Sequence, residues 1–243
     1  MKVTLLNYTP LTVADAAIGK CYDKGCYTDP EKIQNRINNV ANVKKHASTI
    51  EHINYSFDID GVSRALLQEL ARHRIASYSV KSTRYTLKEL RDEEPFMEVL
   101  HNEPKHGFMS IGTKIDRSRA SKYLVFTGID FVDYAAILSL EGLRGCIANE
   151  IKNDKAKYCM PEAYKTSLVM TINARSLQNF ISLRSSKHAL WEIQDLAKAM
   201  FDAVPEDHKF LFEKSINPPF ATVDMDKDLY GAFMDWTMQN NFR

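Results

Sequence analysis

The chain has few cysteines, no long apolar segment and almost no excess of either charge. No run is long and apolar enough to span a membrane, and we expect no signal peptide at the N-terminus. The 4 cysteines lack zinc-site spacing, so reduced cytoplasmic thiols are expected, with a Cys21–Cys26 disulfide or shared metal as the alternative. Lys and Arg number 32 against 31 Asp and Glu, whereas a general nucleic-acid binder usually has a broad excess of positive charge.

Internal repeats, low-complexity tracts and an evident linker are also missing. The Gly-x-Gly-x-x-Gly pattern of Rossmann domains is absent, so a bound dinucleotide would have to be held in another way. At 243 residues the chain can bury a sizeable core. We predict a single α+β domain over residues 1–243, with mixed helices around a small, largely antiparallel sheet.

Hydrophobic periodicity and turn residues predict the elements. Helices are expected over residues 11–21, 62–70, 129–151, 176–183, 189–203 and 230–238, and strands over 53–59 and 168–172. The 129–151 helix is expected to carry Phe131, Ala135 and Leu138 near one face. Asp60-Gly61 is expected to turn the chain into the 62–70 helix. Residues 88–112 are polar and broken by Pro and Gly, which indicates a long excursion and a possible flexible lid.

The densest cluster of charge lies between residues 72 and 85. It holds five cationic or potentially cationic side chains and four Ser or Thr hydroxyls, directly after a predicted amphipathic helix. Guanidinium groups bind phosphate oxygens in a bidentate manner, and hydroxyls and loop amides bind the remaining lone pairs. The segment therefore predicts a site for a ligand with several phosphates. No His and carboxylate arrangement is evident that would activate Ser82 as a nucleophile, so phosphate binding is its predicted role.

A second cluster, residues 46–52, contains two histidines and a glutamate. Its ordinary interpretation is a loop with a helical turn, capped by Ser48 or Thr49 and supported by Glu51. The His-Glu-x-x-His spacing of zinc helices is absent, so no metal site is predicted.

A third cluster, residues 171–188, is rich in Asn and Arg. If residues 176–183 are helical, Arg175, Asn179 and Leu183 recur every fourth residue and share a face. A plain surface helix explains the same spacing, so this pattern alone does not indicate a site.

Together the three clusters resemble the flavin-dependent thymidylate synthases, the ThyX family. The family signature Arg-His-Arg, seven residues, then Ser is complete from Arg72 to Ser82, and Arg84 follows as in the family. Residues 46–52 match the family segment His, any residue, Thr or Ser, two residues, Glu-His. Residues 173–193 are similar to the second signature block. The resemblance covers about residues 46–193, with weaker likeness in the first helix.

The resemblance implies reductive methylation of dUMP to dTMP. Methylenetetrahydrofolate would donate the carbon, NADPH would be the reductant, and FAD would carry the hydride. The flavin supplies the difficult redox chemistry, so the protein must bind and orient the reactants and polarise the substrate. Family members are homotetramers whose sites use several subunits, which implies that this chain assembles with itself. The expected partners are dUMP, folate and further copies of the chain, with no nucleic acid and no membrane.

The resemblance also assigns individual roles. The residues expected at FAD are Ser48, Glu51, Arg72, His73, Arg74, Val80, Asn173, Arg175, Asn179 and His188. The residues expected at dUMP are Glu69, Arg72, Ser82, Thr83, Arg84, Lys157 and Arg184. Arg184 is the expected catalytic residue, since a guanidinium against the uracil carbonyl stabilises charge that develops as hydride arrives at C6. His46 is expected to flank the flavin and folate.

Four positions depart from the commoner family pattern. Ser79 replaces Asn, Val80 replaces Glu or Gln, and Thr83 replaces Gly or Gln. Lys157 stands where an Arg normally assists dUMP binding, which keeps the charge but loses the bidentate fork. These differences bear on affinity rather than on the reaction.

Two other classes remain open. A nucleotide- or RNA-binding protein without catalysis would bind no flavin and would bind RNA in a salt-sensitive way. A different flavoprotein on the same fold would bind FAD but would show no dUMP-dependent oxidation of reduced flavin. A metal hydrolase is a more distant alternative.

Overall fold

The structure, a computed structural model, describes residues 1–101 and 111–216. It divides into two compact units. The first contains Met1–Val62, Leu66–Val80 and the described residues from Ser167 onward, and the second contains Ser63–Ala65 and the described part of Lys81–Thr166. The predicted α+β class is confirmed, whereas the single domain over 1–243 stays a prediction.

The first unit is built on a four-stranded sheet with the order β1-β2-β6-β3. Its strands are β1 (Lys2–Tyr8), β2 (Asn54–Ser63), β3 (Ala76–Val80) and β6 (Lys165–Asn173). The β1–β2 and β3–β6 ladders are antiparallel. Alternate residues of β2, namely Tyr55, Phe57 and Ile59, are fully buried, which confirms the predicted half-buried strand.

Helices α1 (Leu11–Cys21), α2 (Pro30–Ile37), α3 (Arg64–Leu70), α8 (Ala174–Arg184) and α9 (Trp191–Ala203) accompany this sheet. Local sequence sets several of their starts. Pro30 occupies the first turn of α2 while Asp29 caps the Glu31 amide, and the Asn173 side chain caps the Ser176 amide of α8 at 2.8 Å. Buried apolar residues of these helices and of the sheet form one core cluster.

The second unit has its own core, around Leu90, Phe96, Tyr123 and Leu140. It contains the hairpin β4 (Met97–His101) and β5 (Ile111–Ile115), the long helix α6 (Asp130–Ala148) and the short helices α4 (Thr83–Thr86), α5 (Arg117–Ala120) and α7 (Asn153–Ala156). On α6 the buried face includes Ile137, Leu140 and Leu143.

Several predicted boundaries were wrong. The chain does not turn at Asp60-Gly61: β2 continues to Ser63 through Gly61, whose φ of 72° suits glycine, and α3 begins at Arg64. Phe131, Ala135 and Leu138 do share a face of α6, as predicted, but that face is exposed, since the buried apolar stripe follows Ile137 and Leu140.

Other elements were missed or extended. β1, α2 and β3 were not predicted, and β6 is longer than residues 168–172. Within the expected 88–112 excursion the structure has β4 and the start of β5, which were not predicted, and residues 102–110 lie outside the described part of the chain. The flexible lid stays a prediction. The 230–238 helix lies outside the described residues. No helix that the structure describes is both long and apolar enough to cross a membrane.

Candidate active site

A cleft of about 730 Å³ in the first unit brings the sequence clusters together. Eight predicted site residues line it: Glu51, Arg72, His73, Arg74, Asn173, Arg175, Asn179 and Arg184. They come from three separate stretches of sequence, around residues 51, 72 and 173. The convergence favours a site over the alternative that the third cluster is a plain surface helix.

The β3–β6 ladder places two of these stretches side by side. Ala76 at the start of β3 is opposite Ile172 near the end of β6. The Arg72–Arg74 segment enters β3 just where Asn173 ends β6 and begins α8. The cleft is therefore positioned by backbone pairing rather than by a glycine-rich loop.

The cleft is electropositive. Neither Arg72 nor Arg74 forms an ion pair with any residue that the structure describes. Arg175 Nη1 donates to Glu51 Oε1 at 2.6 Å, and both side chains are exposed. One carboxylate therefore faces several guanidinium groups, which is suited to an anionic ligand.

Arg184 is held more firmly than the other arginines. Its Nη1 donates to Glu69 Oε2 at 2.9 Å, its Nη2 donates to the Glu69 carbonyl at 3.2 Å, and its Nε donates to His73 Nε2 at 3.0 Å. A guanidinium has five N–H donors. Three are engaged, so one N–H on each Nη remains for a ligand.

His73 must be neutral to accept the Arg184 bond. Burial lowers the pKa of His73, and the nearby Arg184 lowers it further, while Glu69 opposes both effects. The proton is then on Nδ1, since Nε2 is the acceptor. The ring packs edge-on against Phe180 with centroids 4.9 Å apart, and Tyr78 Oη donates to the His73 carbonyl at 2.7 Å.

The second unit carries the other expected substrate residues. Ser82 begins α4, which contains Thr83 and Arg84, and the Asn153 side chain donates to the Arg84 carbonyl at 2.8 Å. The hydroxyls of Ser82 and Thr83 have no hydrogen-bond partner among the described residues. Lys157 follows α7 directly and is exposed. The structure thus brings the α4 turn beside the helix that leads to Lys157.

Five predicted residues of the first unit do not line its cleft: His46, Ser48, Glu69, Val80 and His188. Glu69 is nevertheless bonded to the lining residue Arg184. His46 and Ser48 lie at the exposed start of the 3₁₀ turn Ala47–His52. Val80 ends β3 and His188 lies in the exposed turn after α8. Their roles stay predictions.

Three further lining residues, Ile75, Ser176 and Leu183, were not among the predicted site residues, although Leu183 was expected on the same helix face as Arg175 and Asn179. Ser176 lies one residue beyond Arg175 and three before Asn179, so helical spacing predicts it on the same side. Ile75 had no signal, because its orientation depends on the unpredicted strand β3. Among the described residues, no group of three or more His, Cys, Asp or Glu is arranged to hold a metal ion.

Comparisons with known proteins agree with this arrangement. The family model described as "Thymidylate synthase complementing protein" matches residues 4–208, a range that includes every predicted site residue. The chain belongs to the flavin-dependent thymidylate synthase family. A relative so named from Campylobacter jejuni is 53% identical over 221 residues, covering 89% of this chain and 98% of the relative. Another, from Helicobacter pylori, is 48% identical over 216 residues, covering 88% and 98% of the two chains.

A solved ThyX structure from Helicobacter pylori supports the family fold. It has a TM-score of 0.79 and 47% identity, and the match covers 89% of this chain and all of that one. That crystal structure is described as containing FAD and dUMP. Membership in the family explains why the signature segments meet at one cleft.

Proposed function

We propose that this chain converts dUMP to dTMP, with FAD as its bound cofactor, methylenetetrahydrofolate as the carbon donor and NADPH as the reductant. The observation that carries the proposal is the meeting of Arg72, His73 and Arg74 from the first family signature with residues of the second signature block in one electropositive cleft. It is supported by family membership and by the FAD and dUMP of the related Helicobacter pylori structure.

The residues of the cleft fit a flavin dinucleotide. FAD has a diphosphate, hydroxyls and a ring edge with acceptors and a donor. The free guanidinium groups of Arg72 and Arg74 suit the diphosphate, and the amides of Asn173 and Asn179 suit the other polar groups. Bound there, FAD would supply the hydride transfer that no protein side chain can perform.

The nucleotide would be bound by residues from more than one copy of the chain, as the family resemblance implies. We assign its phosphate to the uncommitted hydroxyls of Ser82 and Thr83 with the Arg84 guanidinium, and Lys157 would add a positive charge. Arg184 would bind the uracil with its two remaining Nη donors. Because Glu69 and His73 already fix its orientation, little reorganisation is needed when charge develops on the ring.

We also propose a homotetramer, as the family resemblance implies, with His46, Ser48, Val80 and His188 contributing to FAD or folate binding in the assembly. A cytoplasmic location remains the prediction from the sequence. Light scattering coupled to size exclusion tests the assembly, and a monomer at all concentrations would contradict it.

The test of function is the visible spectrum of the purified protein with FAD. We expect flavin bands that bleach with NADPH under anaerobic conditions and recover with dUMP and methylenetetrahydrofolate, with dTMP detected chromatographically. Arg74→Ala should weaken FAD retention, whereas Arg91→Ala, at an exposed position outside the cleft, should not. Protein that takes up no FAD would refute the proposal and favour the non-catalytic binder. Bound FAD without dUMP-dependent reoxidation would favour a different flavoprotein.

A further inference from the structure

A second cleft in the first unit, of about 410 Å³, lies between α1, α2 and the segment that joins them. Its lining includes Lys24, Lys32 and Lys44, with the two exposed tyrosines Tyr22 and Tyr27. None of these residues belongs to the signature segments, and the proposed binding of FAD and dUMP does not use them.

The lysines give this cleft an uncompensated positive charge. None of the side chains that line it is acidic. Its arginine, Arg36, is neutralised by the buried Asp15, with Nη1 to Oδ1 at 3.0 Å. By contrast, the three lysines are exposed and form no ion pair with any described residue.

The frame around the lysines is preformed. Arg36 also donates to the Gly25 carbonyl at 3.0 Å, and its guanidinium lies 4.0 Å from the centre of the Tyr27 ring. The backbone amide of Tyr27 donates to the Asp15 carboxylate at 2.8 Å. A Cβ on Gly19 would lie 2.7 Å from the Lys24 carbonyl, so only glycine lets the joining segment pack this closely on α1. Aromatic side chains and unpaired cations in one cleft suit a ligand that combines planar groups with several negative charges.

We propose that this lysine cleft (Lys24, Lys32, Lys44) binds the anionic part of a co-substrate: either the carboxylates of a folate glutamyl tail or the phosphates of the nicotinamide nucleotide. The inference rests on the proposed function, which supplies both co-substrates. Lys44 precedes His46, the residue expected at the folate, by two positions, so the cleft ends beside that predicted site.

The test compares two charge-matched triple variants loaded with FAD. One is K24Q/K32Q/K44Q. The control is K2Q/K20Q/K198Q, which removes three exposed lysines of the same unit that do not line the cleft. The Michaelis constants for NADPH and for monoglutamyl and pentaglutamyl methylenetetrahydrofolate are measured at low and moderate salt.

Loss of three charged contacts should raise one of these constants by at least about tenfold in the cleft variant, with kcat unchanged. Added salt should narrow the difference in that Michaelis constant between the cleft variant and the control, since it screens exposed charges. A rise for the pentaglutamyl folate alone assigns the cleft to glutamyl carboxylates. A rise for NADPH alone assigns it to nucleotide phosphates. If no constant changes more than in the control, the inference is wrong.

Calorimetric titration of the same FAD-loaded proteins separates this inference from the proposed function. Weaker binding of NADPH or pentaglutamyl folate in the cleft variant alone would support co-substrate binding at the lysine cleft, even in a protein that makes no dTMP. Equal binding in both variants would overturn it, whatever the turnover.

Discussion

Removing the Glu69 carboxylate should loosen Arg184 and thereby lower both stability and catalysis. The two groups meet at 2.9 Å, and the side chains are 40% and 16% exposed respectively. Unit charges about 4 Å apart attract by roughly 4 kcal/mol at an effective dielectric near 20. Exposure of Glu69 and the desolvation of both groups reduce this, so we expect Glu69→Ala to cost about 1–2 kcal/mol. For a chain of this size the melting temperature should fall by about 2–8 °C.

Glu69→Ala should affect turnover more than the binding of dUMP. Arg184 would keep its bond to His73 but would lose its orientation toward the uracil, so we expect kcat to fall about tenfold while the KM for dUMP changes less. The kcat and melting temperature of Glu69→Gln should lie between those of the wild type and Glu69→Ala, because the amide oxygen of Gln still accepts a hydrogen bond. Steady-state kinetics and thermal unfolding give the two readouts.

Asp202→Ala is the matched control. It breaks the Lys198–Asp202 pair, which has a similar length of 2.7 Å but whose side chains are 55% and 54% exposed. Such a surface pair contributes about 0.3–0.5 kcal/mol. If Glu69→Ala changes the melting temperature and kcat no more than this control, the positioning role of Glu69 is refuted.

Three further predictions concern other parts of the fold. Mild peroxide should form a disulfide between Cys146 and Cys159, whose Sγ atoms lie 3.8 Å apart. The loop that it closes should stabilise the protein by about 3 kcal/mol. Peptide mapping that finds mainly a Cys21–Cys26 disulfide would contradict this. Burial lowers the pKa of His208, so below the ordinary value of 6.5 the unfolded chain takes up a proton more readily than the folded one and the free energy of unfolding falls. Urea unfolding at several pH values should show this fall, and the dependence of the unfolding free energy on pH should be weaker in His208→Gln. Asp15→Ala leaves Arg36, 11% exposed, without its buried partner and should cost about 3–5 kcal/mol in urea unfolding; a loss below about 1 kcal/mol would contradict the pairing.

Sequence patterns predicted elements where one face is consistently apolar. The alternation around Tyr55 and Phe57 predicted β2, and the Pro and Gly residues that flank residues 11–21 predicted α1 with its observed bounds. β3 was missed because its residues are mostly exposed, so no buried face distinguishes it from a loop. Its strand conformation comes from pairing with β6, which is a tertiary effect that local sequence does not contain.

The candidate site was predictable mainly through motif resemblance. Spacing alone placed Arg175 and Asn179 on one helix face but gave no reason to bring them near Arg72. The hydrogen bonds from Arg184 to Glu69 and His73 join residues more than a hundred positions apart, so no local pattern could indicate them. The lysine cleft was missed for a similar reason, since Lys24, Lys32 and Lys44 come from separate segments and meet only in the folded chain.

The pairing of Ala76 with Ile172 bears on how this protein can be altered. In a β-ladder, a residue added or deleted shifts every later side chain to the opposite face. Point substitutions such as those at Ser79 and Val80 leave that alignment intact, whereas a change in length between Arg74 and Val80 would move the arginines away from Asn173. Strand β3 can therefore vary in residue type but not in length, and loops outside this ladder are the better places for insertions or tags.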